Sequence, residues 1–197
     1  YADNYFSGSV LLYALPDTVS PTVVYVRLKA GNADGSYNDS LTISTLDAHS
    51  QKFALTGTIV TPTISNPSSA SLSGSSFIYA IGSGPSSVQS FSFTASNLTD
   101  VVGVKAPADF EISSTLNGTY GDSLTFNPSS GSIASTTIYV RLKAGLSLGD
   151  YSNENIILST TGGANKSVAC TGSVINPAPS INNPSVSTLN GFGYNTS

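Results

Sequence analysis

The chain of 197 residues offers few side chains that could do chemistry. It has one histidine, His49, and one cysteine, Cys170. A single imidazole cannot assemble a metal centre, and His49 stands in residues 46–51, a stretch that reads as a solvated turn. Cys170 lies on an alternating apolar run with no neighbour to stabilise a thiolate, so it reads as a buried, inert, small hydrophobe. Asp109 and Glu111 flank Phe110, a carboxylate pair of the type glycosidases use. Alternate positions on a strand face one way, which puts both acids on a solvent face instead. Asp34, Asp39 and Asp47 are close in sequence, but no D-x-D-x-D-G loop or glycine-rich nonapeptide surrounds them, so bound calcium is not expected. Five Asn-x-Ser/Thr triplets, at Asn38, Asn97, Asn117, Asn165 and Asn195, read as accidents of a Ser/Thr/Asn-rich composition. No nucleophile–base pair, metal cluster or phosphate loop is visible, so neither catalysis nor a cofactor is expected.

These residues sit in a chain built for something other than a site. Charged residues make up 9%, against about a quarter in ordinary soluble proteins, while hydrophobic residues make up 39%. That balance suits β-sandwiches whose outward positions carry hydroxyls rather than charges. The seven Lys and Arg are scattered and the net charge is −4, so there is no basic footprint for nucleic acid. With one cysteine no disulfide can form within the chain, and the core alone must hold the fold. No run approaches the roughly 18 apolar residues of a membrane-spanning helix, so no direct membrane insertion is expected. No signal peptide opens the sequence, and Tyr1 is not a natural start, so the chain reads as a fragment, a processed product or a window on a longer protein.

The strongest pattern is an internal repeat. Residues 22–31 read TVVYVRLKAG and residues 136–145 read TTIYVRLKAG, an offset of 114 that runs back without a gap to Tyr1. Beyond Tyr37 and Tyr151 one residue is inserted and the offset becomes 115. LTIST (41–45) then matches IILST (156–160), and FALTG (53–57) matches VACTG (168–172). A third start shows where SNPSSASLSG (65–74) matches NNPSVSTLNG (182–191), at offset 117. The unit is therefore about 115 residues long, as the matched positions require. Residues 1–62 form the C-terminal part of one repeat, 63–177 a complete repeat, and 178–197 the start of a third. An isolated half-sandwich would expose its core. Either the polypeptide continues both ways, or neighbouring copies supply strands by β-augmentation.

Within the unit, short runs alternate apolar and polar with period two. Ile138, Val140 and Leu142 should face in while Tyr139, Arg141 and Lys143 face out, and the same pattern predicts a strand with Val24, Val26 and Leu28 inward and Tyr25, Arg27 and Lys29 outward. Further strands are expected at 71–79, 89–95, 101–105, 110–114, 123–127, 155–159 and 166–174, with Gly, Pro, Asn and Asp between them. The fold class is all-β: tandem immunoglobulin-like β-sandwich repeats of about 115 residues. The Tyr-Arg-Lys strip could meet sugar or a neighbouring repeat, but the framework reading, long basic stems covering the sheet, is preferred. His49 aligns with Ala164, and Asp34, Asp39 and Asp47 align with Leu148, Asn153 and the Gly162-Gly163 region, so no candidate site repeats.

The series GSGPSSVQSFSFTASNLTDVVGVKAPADFEIS (82–113), TTIYVRLKAG (136–145) and VACTGSV (168–174) resembles the Ig-like repeats of very large surface proteins of gliding, type-IX-secreting Gram-negative bacteria. The resemblance covers essentially the whole chain. It implies an extracellular, cell-surface location and a structural or adhesive role as stalk or display rod. The implied partners are neighbouring repeats of the same protein, surface glycans or other cells. Two other readings stand beside it: an accessory, carbohydrate-binding module of a secreted enzyme, and a self-assembling extracellular filament subunit with strand exchange. The resemblance also implies O-glycosylation at Asp-Ser/Thr followed by an aliphatic residue. Asp17-Thr18-Val19, Asp39-Ser40-Leu41 and Asp122-Ser123-Leu124 fit, so Thr18, Ser40 and Ser123 are the expected glycan sites, all at strand starts or loop edges. Gly8-Ser9-Val10 aligns with the third motif but lacks the Asp, so Ser9 should stay unmodified.

Overall fold

The computed structural model describes residues 8–13, 18–177, 179 and 190. The chain divides into two compact units, Tyr1–Val60 and Thr61–Ser197. Apart from Pro179 and Asn190, residues 178–197, expected to open a third repeat, lie outside the described residues.

The second unit is a two-sheet sandwich. Its strands are β3 (Thr63–Ile64), β4 (Ser71–Leu72), β5 (Ile78–Ala80), β6 (Gln89–Ser96), β7 (Val102–Lys105), β8 (Phe110–Ser113), β9 (Ser123–Phe126), β10 (Ile133–Leu142), β11 (Gly149–Ser159) and β12 (Lys166–Ile175). One sheet runs β3-β6-β10-β8; the other runs β4-β12-β11-β7-β9, with β5 also on the edge of β12. No α-helix occurs among the described residues, and the all-β sandwich expected from the sequence is the fold observed. The period-two pattern places Ile138, Val140 and Leu142 from one sheet against Ile156, Leu158, Val168 and Cys170 from the other, all fully buried. Phe93 meets Phe126 across the layers, edge to face at 5.7 Å between ring centroids, and Phe77 meets Phe110 at 5.3 Å. Burying each such side chain contributes about 1.5–3 kcal/mol relative to leaving it in water.

The single strand expected over 71–79 is broken. Gly74 takes φ 100 and a 3₁₀ turn follows at Ser75–Phe77, yet β4 and β5 both run parallel along the edge of β12. The turn drops Phe77 into the core, fully buried. β11 starts six residues earlier than the 155–159 expected, because a bulge hides its alternation. Tyr151 pairs Gly172 and Glu154 pairs Cys170, leaving Ser152 and Asn153 opposite one residue, with Asn153 at φ 61. Asn tolerates that left-handed conformation better than most residues. This bulge is the one-residue insertion that shifts the repeat offset.

The first unit contains β1 (Gly35–Ile43) and β2 (Gln51–Ile59), an antiparallel pair with an unbroken register. The strand expected over Val24, Val26 and Leu28 is not formed; these residues have no regular structure and are 41%, 51% and 41% exposed. The cause is pairing. β10 is a strand because β6 and β8 flank it, and the described residues of the first unit contain no equivalent of either.

Candidate functional site

The expected glycan acceptors do not converge. Thr18 is exposed in irregular chain, and its Asp17 lies outside the described residues. Ser40 is exposed but sits in the middle of β1, not at a strand start, pairing with Ala54. Its N–H donates to Asp39 Oδ1 at 2.7 Å, so the acid of that motif is engaged by its own backbone. Ser123 is the exposed first residue of β9, and the preceding Asp122 carboxylate accepts from Lys143 Nζ at 2.7 Å. All three hydroxyl-bearing side chains are solvent-exposed.

The outward strip of β10 is occupied by its own neighbours. Arg141 Nε donates to Glu111 Oε1 at 2.6 Å, and its guanidinium lies 3.9 Å from the Tyr120 ring centroid. Lys143 Nζ donates to the Ala108 carbonyl, also at 2.7 Å. Asp109 and Glu111, weighed as a pair in the sequence, have separate partners. Glu111 holds Arg141, whereas the Asp109 N–H points at Glu154 Oε2 at a long 3.5 Å.

Glu154 carries no sequence signal, and the bulge explains why. Past Asn153 the strand faces are exchanged, so Glu154 pairs with core-facing Cys170 and shares the face of Ile156 and Leu158. Burial, and then a hydrogen bond with the Asp109 carboxyl, push the Glu154 carboxyl above its usual range. The same register corrects the repeat alignment. Asp39 pairs Leu55 and Glu154 pairs Cys170, so the counterpart of Asp39 is Glu154 rather than Asn153. Cys170 itself is buried and free, and burial pushes its thiol up to about 12. His49 lies exposed in the loop between β1 and β2.

At the open end of β11, a shallow cleft of about 340 Å³ is lined by Asp100, Val101, Gly103, Ser159, Thr160 and Thr161. The Thr161 hydroxyl donates to Asp100 Oδ2 at 2.7 Å and the Val101 N–H to Asp100 Oδ1 at 2.8 Å; together they hold the Asp100 carboxyl below its ordinary range. One donor belongs to the turn of Asp100 itself and the other comes from Thr161, 61 residues along the chain, so the carboxylate ties two loops together. Among the described residues no group of three His, Cys, Asp or Glu side chains is placed to hold a metal ion, and no helix is long and apolar enough to cross a membrane.

What the two units share is framework. Tyr37 donates its hydroxyl to the Ala33 carbonyl at 2.6 Å, and Tyr151 to the Ser147 carbonyl at 2.8 Å, each four residues upstream in the manner of a tyrosine corner. Thr22 Oγ1 donates to the Ser20 carbonyl at 2.8 Å and Thr136 Oγ1 to the Ala134 carbonyl at 2.9 Å. Gly31 and Gly145 take φ 84 and 77. Leu28 lies over Gly57, where an added Cβ would come within 2.7 Å of its Cδ1, and Leu142 lies over Gly172, where the distance to Cδ2 would be 3.2 Å.

No family model and no curated protein matches the chain. Among solved structures it is similar to a pilin subunit, CooA, of enterotoxigenic Escherichia coli, at 18% identity over 59% of this chain and 99% of that one, with a TM-score of 0.36. A likeness of that degree carries no argument.

Proposed function

We propose that this chain is a repeat region of a secreted cell-surface protein, acting without catalysis as a stalk or display rod. One observation carries the reading: what the two copies repeat is chiefly framework, and the carboxylate that recurs at one register position, Asp39 and Glu154, belongs to no group of three metal-ligating side chains among the described residues. The tyrosine bond, the threonine bond and the leucine-over-glycine contact occur in both. His49 and Cys170 each occur in one copy only, aligned with Ala164 and Leu55. Selection for a ligand site would have duplicated the site; selection for a rod duplicates what holds the sandwich together. The resemblance to Ig-like repeats of type-IX-secreting, gliding bacteria supports export across the outer membrane and display at the cell surface. Many copies in series would bind neighbouring repeats, surface glycans or other cells through avidity rather than through one tight contact.

Mass spectrometry of native material, intact mass with peptide mapping, tests this. The expected result is a polypeptide of many hundreds of residues with hexose-containing mass on Thr18, Ser40 and Ser123 and none on Ser9. An unmodified species near 20.1 kDa would overturn the rod and favour a short filament subunit that exchanges strands between copies.

A further inference from the structure

The edges of a sheet are where an all-β chain lies open to other chains, because an edge strand presents unpaired N–H and C=O groups. In the second unit β6 is the strand most in need of cover. It reads QSFSFTAS, with no charged residue, no proline and no glycine. Its inward Phe91 and Phe93 are buried, and Ser90, Ser92 and Thr94 alternate with them on the outer face. An uncharged, alternating, aromatic run is the kind of segment that pairs with its own copies. The usual protection, a charged side chain on the edge strand, is missing from it.

One edge of β6 is covered by β10, with Phe91 pairing Ile138 and Phe93 pairing Thr136. On the other edge β3 reaches only the last residues, Thr63 pairing Ser96 and Ile64 pairing Ala95. The strand ends at Ile64, but the hydrogen bonding continues. The Ser65 N–H donates to the Thr94 carbonyl at 2.9 Å, and the Thr94 N–H donates to Ser65 Oγ at 2.9 Å. The Ser68 N–H donates to the Ser92 carbonyl at 2.8 Å, and the Ser92 N–H donates to Ser68 Oγ at 2.8 Å. Each serine thus answers both backbone groups of one edge residue, its main chain supplying the donor and its hydroxyl the acceptor. Between them Pro67 has no N–H with which to offer a fresh edge. The segment is then tied across to the other sheet. Lys166 Nζ donates to Asn66 Oδ1 at 2.9 Å, and the Ala169 N–H of β12 donates to the Ala70 carbonyl at 3.0 Å.

We infer that Ser65 and Ser68 form a hydroxyl guard on β6, and that what they exclude is the same edge of a second copy of the chain. Two such edges would meet antiparallel about a two-fold axis, each supplying the surface the other needs. In a chain with only 9% charged residues, hydroxyls take the protective part that edge lysines take elsewhere. The inference rests on the edge of β6 alone, so it can fail while the rod reading survives.

The test removes both hydroxyls, Ser65→Ala with Ser68→Ala, in the full chain. Amide hydrogen exchange at Ser92 and Thr94 should speed by ~10-fold or more, while Phe91 and Phe93, which face β10, keep their protection. Molar mass by light scattering should rise with concentration above that of the unaltered chain. Adding Thr94→Lys sets like charges against each other across the new pairing and should return the mass to that of the unaltered chain. A double variant whose mass follows the unaltered chain at every concentration overturns the inference, whether or not its amides speed. An excess mass that Thr94→Lys leaves in place overturns it too, because the association then lies elsewhere. If the double variant does not fold, Ser68→Ala alone is judged by the same two readouts, exchange at Ser92 and mass with and without Thr94→Lys.

Discussion

Residues 22–31 and 136–145 differ at two of ten positions, yet the first is irregular and largely exposed while the second, through Leu142, lies in an inner strand of a sheet with Ile138, Val140 and Leu142 fully buried. Strand propensity is the same in both. What differs is company: β10 has β6 on one side and β8 on the other. A β-strand is a property of the ladder more than of the segment, because its backbone donors and inward side chains are satisfied only by neighbours.

The comparison is easiest to break with paired substitutions at Leu142 and Leu28. Leu142→Ala empties a fully buried site and should cost about 2–5 kcal/mol. Leu28→Ala removes a half-exposed side chain and should cost under about 1 kcal/mol. Residue-resolved exchange within each unit measures both. Equal costs would mean that the first unit is packed as tightly as the second.

Gly172→Ala and Gly57→Ala sharpen the same point at smaller scale. A Cβ on Gly172 would sit 2.7 Å from the Phe77 carbonyl oxygen, a backbone atom that cannot step aside. Overpacking of that sort costs about 1–3 kcal/mol. A Cβ on Gly57 would meet the Leu28 side chain, Cδ1 at 2.7 Å and Cγ at 3.0 Å, a half-exposed group that can swing away, and the change should be near neutral. Urea midpoints of the two variants decide it, and a large loss at Gly57 would show that Leu28 is held in place.

Arg141→Ala comes next. It removes the Glu111 pair and the Tyr120 stack, both partly exposed, so a loss of about 0.5–1 kcal/mol is expected, shrinking as salt is raised. A salt-independent loss would point to the packed stem rather than the charge.

Which features were legible in the sequence follows from the same physics. The inward faces of β10 and β12 were readable because period two survives along unbroken strands, and so was Cys170 as a core residue. Ser123 was readable as a solvent-exposed strand start. Residues 24–28 misled because alternation records what a segment would bury, not whether a partner is there. Asp109 and Glu111 were expected to stand solvated on an outward face; instead each meets a partner distant in sequence, Glu111 the Arg141 guanidinium and the Asp109 N–H the Glu154 carboxylate, 45 positions along the chain. Glu154 was invisible because its inward direction is set by the bulge at Ser152 and Asn153, and an inserted residue looks the same whether it falls in a loop or in a strand.

That bulge yields the subtlest prediction. Glu154 in the folded state has a carboxyl raised above its ordinary value, chiefly by burial and then by Asp109. The native state therefore holds its proton more tightly than the unfolded chain does. Its contribution to stability is complete below the ordinary carboxyl pKa and is lost as pH rises through the higher folded value. Asp100, held below its ordinary value, works in the opposite direction, so the total pH slope of the wild-type protein identifies neither group. The difference between wild type and Glu154→Gln does. As pH rises from the ordinary Glu pKa of about 4.3, the second unit of the wild type should lose stability relative to the variant, with urea midpoints converging at the acid end. Parallel midpoints as pH rises would mean that Glu154 keeps its proton no better folded than unfolded. The bulge would then turn the side chain inward in geometry but leave it solvated.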